Sequence, residues 1–213
     1  MPLVQTLAII SLVYASLSTI RQTDTKAVIA YSSVAHMAVV IFGIFSNTVQ
    51  GIEGGILLSL AHGFVSPALF VICGGIIYNR THSRVILYHR GLANYMPVFT
   101  IFFLLFTLFN AGVPLSLNWS GEILSLMGLW LRSPLVAVLG ATGIVLSACY
   151  SIFLYNRISY GSYSNYLLPL KDIDRREFML LFTLLIPTVI LGIFPNIILE
   201  GLHLSTSSIL YSV

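Results

Sequence analysis

The chain has 213 residues, 57% of them hydrophobic and only 8% charged, with ten basic and seven acidic side chains. A soluble domain of this size carries about a quarter of its residues as charges, so a water-soluble fold is excluded and lipid is the expected solvent. The net charge of +3 is scattered over short loops, which argues against nucleic-acid binding, and Cys73 and Cys149 both lie in apolar runs, which offers neither a disulfide framework nor a thiolate metal site.

A helix needs about 20 apolar residues to cross a hydrocarbon core of roughly 30 Å, and this length predicts six spans in an all-α membrane protein. The first covers 3–20 and is read as a retained span, since a signal peptide would be shorter and end in a small-residue cleavage site. The second covers 27–45 and the third 54–78. The fourth, 95–131, is interrupted at Ala111-Gly112-Val113-Pro114 and counts as one broken crossing. The fifth covers 135–155 and the sixth 178–199, with Pro187 and Pro195 expected to bend or end the last. Residues 1–213 thus form a single transmembrane domain.

Arg21, Lys26, Arg80, Arg84, Arg90, Arg157, Lys171, Arg175 and Arg176 fall in the odd loops, and only Arg132 falls in an even one. Lysine and arginine are retained on the non-translocated side, so the odd loops face cytoplasm or matrix and both termini face the other way.

Three ionisable residues stand out inside spans: His36, His62 and Glu122. A polar group at that depth is costly and marks either a proton or ion path or a hydrogen bond between helices. Lys26, Ser33 and His36 fall near one face of the second span, with Tyr31 and Ser32 adding hydroxyls, and Ser59, His62 and Ser66 repeat the pattern on the third. Two polar stripes with central histidines favour a hydrated proton path. Glu122 follows the Pro114 break, where freed carbonyls are tolerated only against protein or water, as at transporter ion sites; the alternative is a helix cap. His82 and His89 sit among loop arginines and are expected on a solvated face, and His203 lies beyond the last span. No HExxH, CxxC, Gly-x-Gly-x-x-Gly or GxxxxGK[ST] occurs, so no metal, nicotinamide or nucleotide site is expected in this chain.

Several stretches carry a likeness: 21–37 (RQTDTKAVIAYSSVAHM), Ala61-His62-Gly63, Asn79-Arg80-Thr81-His82-Ser83-Arg84, Gly112 to Glu122, and 148–157 (ACYSIFLYNR). They resemble the subunit 4 branch of the antiporter-like subunits of respiratory NADH:ubiquinone oxidoreductase (complex I), in order and over nearly the whole chain. Cation/proton antiporter subunits share much of the pattern. The resemblance implies the second inverted repeat plus the final helix, without the first repeat, which either a separate chain carries or truncation has removed. It implies His36 and His62 on a central polar axis, Glu122 as the carboxylate of the broken helix at the exit end, and Lys26 at a helix mouth. It further implies other membrane-arm subunits as partners, the mitochondrial inner membrane (or a bacterial plasma membrane) as location, and redox cofactors only in other chains. Three roles follow as expectations: the exit half of a proton channel, a scaffold of the membrane arm, or an antiporter component. Pro67 adds a kink beside the His62 helix.

Overall fold

The computed structural model describes residues 2–164, 166–167 and 170–211, and all regular elements among them are helical. Helix α1 (Pro2–Arg21) turns into α2 (Thr25–Ile44), which begins where the Asp24 carboxylate accepts the Lys26 N–H at 2.8 Å. Helix α3 (Val49–Thr81) starts on the Thr48 hydroxyl, which accepts from the Gly51 N–H. Pro67 lacks an N–H and crowds the carbonyl one turn back, and the Val71–Ile77 stretch that follows is wound as a π-helix. At 33 residues α3 is about 50 Å long, so it overshoots a hydrocarbon core of roughly 30 Å.

Next come α4 (Pro97–Asn110), a break at 111–116, α5 (Leu117–Arg132), α6 (Pro134–Ser159), α7 (Arg175–Ile193) and α8 (Asn196–Tyr211). Five helices, α1, α2, α3, α6 and α7, are long and apolar enough to span a membrane. Helices α4 and α5 are each too short alone, and in series they make one crossing: α4 starts on the side where α6 ends, as the Gly91 N–H bond to the Tyr160 carbonyl shows. The total is the six crossings read from the sequence.

Two spans differ most from the sequence reading. The third span is longer at both ends, because a cap at Thr48 and the π turns carry it past the apolar run. The last span stops at Ile193 instead of 199, because Phe194 and Pro195 break the chain and α8 begins anew at Asn196. Pro187, by contrast, is accommodated inside α7.

The odd loops are tied together. Thr25 N–H donates to Arg84 O and Ile86 N–H to Thr23 O, both at 2.9 Å, and the Arg80 guanidinium bonds the Lys171 and Asp172 carbonyls and both oxygens of Glu177. They form one basic platform, in keeping with the charge pattern.

Glycines set the central contact. Helices α3 and α5 run antiparallel, with Gly51 against Gly128, Gly54 against Ser125 and Leu58 against Gly121. A Cβ on Gly121 would lie 2.8 Å from that of Leu58, so the backbones approach as only small residues allow. One apolar cluster, with Ile76, Leu92, Phe99, Phe103 and Ile158, fills the platform side; another, with Leu12, Phe42, Leu58 and Leu129, fills the far side. Between them lies a polar layer.

Candidate functional site

His36 stands about half-way along α2, 3% exposed, between Glu122 and Tyr150. Its Nδ1 is 3.1 Å from Glu122 Oε1 and its Nε2 is 3.4 Å from the Tyr150 hydroxyl. An ionised carboxylate only accepts, so Nδ1 carries the proton toward Glu122, and in the neutral ring Nε2 accepts from Tyr150 O–H. A buried carboxylate requires such a partner, because removing one member of a buried pair costs about 3–5 kcal/mol. The His62 ring lies 5.6 Å from that of His36, centroid to centroid.

The break between α4 and α5 aims the carboxylate. Gly112 adopts φ +70°, and a Cβ there would stand 2.5 Å from Glu122 Oε2. Glycine is therefore required twice, for the left-handed backbone and for room beside the acid. Leu115 follows at φ 75°, and Ser116 starts α5 by accepting the Trp119 N–H at 3.3 Å. Pro114 lies in this break, as expected. Around it, several buried polar atoms have no hydrogen-bond partner among the described residues: His62 Nδ1, Asn110 Oδ1 and both amide atoms of Asn118. Asn118 precedes Glu122 by one turn and is fully buried. Groups of this kind cost about 1–3 kcal/mol each when unsatisfied and are the places internal water serves.

The structure brings together His36, His62 and Glu122, buries Ser32 and Ser66, and leaves Lys26, Ser33 and Ser59 outside. Lys26 is exposed on the platform at the first turn of α2, about 15 Å along the helix from His36. Ser33 bonds the Ala30 carbonyl and Ser59 that of Ile56, each on the outward side of its own helix. The three-residue step to His36 or His62 rotates each serine by about 60°, enough to leave the buried face. Ser32, one turn below His36, is the buried hydroxyl. Glu122 is held by the mid-helix His36, at 3.1 Å.

Sequence reasoning missed Tyr150, Asn110, Ser151 and Asn118. Ser147, Tyr150 and Ser151 recur at helical spacing on α6 and are all buried, a signal that was present in the sequence. Asn110 Nδ2 donates to Ser151 Oγ at 3.2 Å, tying α4 to that stripe. Glu53 was also missed: its Oε1 lies 2.9 Å from His203 Nδ1 and accepts from Thr206 Oγ1 at 3.1 Å, so His203 docks α8 on α3. His89, expected on a solvated surface, is fully buried, with Nε2 3.0 Å from Thr81 Oγ1.

Residues 1–158 match the family model described as NADH:quinone oxidoreductase/Mrp antiporter, transmembrane. Two proteins named NADH-ubiquinone oxidoreductase chain 4 are similar: one from Mycosarcoma maydis, 62% identical over 99% of this chain and 44% of that protein, and one from Marchantia polymorpha, 45% identical over 98% and 42%. A chain in the solved respiratory complex I from Thermus thermophilus with bound NADH superposes with a TM-score of 0.91 at 28% identity, over 98% of this chain and 44% of that one. A chain of the Mrp complex from a Dietzia species shares the fold, with a TM-score of 0.88 at 15% identity over 99% of this chain and 47% of that one. The chain therefore spans less than half the length of these relatives. With its broken α4–α5 crossing and the histidine–carboxylate pair between two apolar clusters, this multi-pass chain belongs to the NADH:quinone oxidoreductase/Mrp antiporter transmembrane family.

Proposed function

We propose that the chain is the second half of an antiporter-like, proton-translocating subunit in the membrane arm of respiratory NADH:ubiquinone oxidoreductase, in the mitochondrial inner membrane. The observation that carries this reading is His36 bridging Glu122 and Tyr150 inside the helix bundle. An imidazole can take a proton on one nitrogen as it releases another from the opposite one, and its unperturbed pKa lies near physiological pH. Glu122 alternates between carboxylate and acid as the charge beside it changes. The chain's own residues thus hold and pass a proton, while NADH oxidation and its cofactors belong to other chains of the complex.

The partner reading rests on the uncovered polar face. Tyr31, Ser59 and Gly63 are exposed along α2 and α3, and a Cβ on Gly63 would meet nothing within 4 Å. Lipid cannot satisfy such a face, so other membrane-arm helices, including those corresponding to the first half of the longer relatives, cover it. The basic platform faces the matrix.

Glu122→Gln tests the function, because it keeps shape and hydrogen bonding but removes the titratable group. Assembly should survive, and the protons moved per NADH oxidised should fall at equal complex content. An unchanged ratio would leave the chain a scaffold of the membrane arm, with His36 and Glu122 as an interhelical hydrogen bond.

A further inference from the structure

Two narrow voids flank the ring of Tyr150. The outer one reaches the basic platform between Thr19, Gln22 and Arg157; the inner one lies under His36 among Ser32, Thr107, Asn110 and Ser151. Val28, Tyr150 and Leu154 line both, so the Tyr150 side chain is part of the partition between them. Each has room for about one water. The surface of the inner void is mostly apolar, but Asn110, 4% exposed, borders it with an Oδ1 that no described residue satisfies.

We propose that Tyr150 gates a water path running inside this chain from the basic platform to His36. The path gives the His36–Glu122 pair its own access to the matrix face, independent of the partner helices. This inference rests on the proton-transfer reading above. In the arrangement seen, the ring closes the path while the hydroxyl contacts Nε2. When a hydronium in the inner void gives a proton to the Tyr150 oxygen and is left as water, the Tyr150 O–H proton moves to His36 Nε2 and the Nδ1 proton moves to Glu122. One proton enters, one carboxylate is neutralised, and Tyr150 regains its own O–H. Swinging of the ring joins the two voids and readmits water from the platform.

Thiol accessibility in the assembled complex tests the gate without relying on pumping. With Cys73 and Cys149 changed to serine, Ser32→Cys places a thiol in the inner void. Ag⁺, small enough for a narrow aqueous path, is supplied from one face at a time, and protection of that thiol from a maleimide is read by mass spectrometry. Protection should come from the matrix face. Tyr150→Ala should speed it by about tenfold or more, since a closed gate opens only as a minor state of a few per cent. Tyr150→Phe, which keeps the ring, should leave it slow. Thr19→Phe, which fills the outer void, should suppress it and serves if Tyr150→Ala does not assemble. Protection solely from the opposite face, or a rate indifferent to both Tyr150→Ala and Thr19→Phe, would overturn the gate. A Glu122→Gln complex that pumps normally would instead sink the function on which the gate rests, whatever the thiol reports.

Discussion

Gly112 shows how closely the carboxylate is constrained. Gly112→Ala would place a methyl 2.5 Å from Glu122 Oε2 and force a non-glycine residue to φ +70°. The left-handed backbone alone costs about 1–2 kcal/mol. The acid would also be pushed off His36, so thermal stability and proton stoichiometry should both fall, where Glu122→Gln should lower stoichiometry alone. Equal melting and pumping in Gly112→Ala would show that the break does not position the acid. His36, His62 and Glu122 were legible because an ionisable side chain in an apolar run is conspicuous. Tyr150 was passed over despite the stripe it shares with Ser147 and Ser151, because a tyrosine in an apolar helix reads as packing until its hydroxyl is seen 3.4 Å from a histidine. Ser33 and Ser59 were over-read for a geometric reason: helical spacing groups residues to within about 60°, and that angle separates the buried face from the outward one.

At the scale of elements, hydropathy gives the number of crossings, and local chemistry decides where each one stops. The break in the fourth span was visible from Gly112 and Pro114. Pro187 and Pro195 looked alike in sequence, yet only the second ends a helix, since the bundle holds Pro187 within α7. Residues 196–199 were read as the end of the sixth span and the rest of α8 was left beyond it, because the docking residue Glu53 lies 150 positions away from its partner His203. Glu53→Ala removes the acceptor of both His203 and Thr206 while leaving the α3–α5 glycine seam intact. Because His203 is largely exposed, the pair is worth only about 1 kcal/mol. Amide exchange in α8 should therefore rise several-fold, with little change in α3. Unchanged protection of α8 would mean that apolar contacts such as Leu199 against the Leu57 and Leu117 cluster suffice.

Across the whole molecule, the platform joins loops far apart in sequence, and His89 is buried within it. Labelling a cysteine at Arg84 should succeed only from the matrix side; labelling from the other would invert every crossing. The pH response of the same platform follows from His89. The Thr81 hydroxyl donates to the Ile77 carbonyl, so it can accept only from a protonated His89 Nε2, which leaves Nδ1 as the bare nitrogen. That Nδ1 is buried without a partner among the described residues. Protonation would bury a charge, and this burial holds the His89 pKa below its ordinary value of 6.5, offset only in part by a backbone hydrogen bond of the charged ring to Val85. The unfolded loop then binds more protons than the folded one as pH falls through that ordinary value, so loop stability is fully present above it and declines below. Hydrogen exchange over 82–94, corrected for intrinsic rates, should be protected at about pH 7.5 and loosen at about pH 5.5, near the range where free histidine titrates. In His89→Gln, with no group titrating there, the pH dependence should vanish. A loop whose protection is the same at both pH values in the unsubstituted protein would show that His89 charges freely and that its burial does not govern the platform.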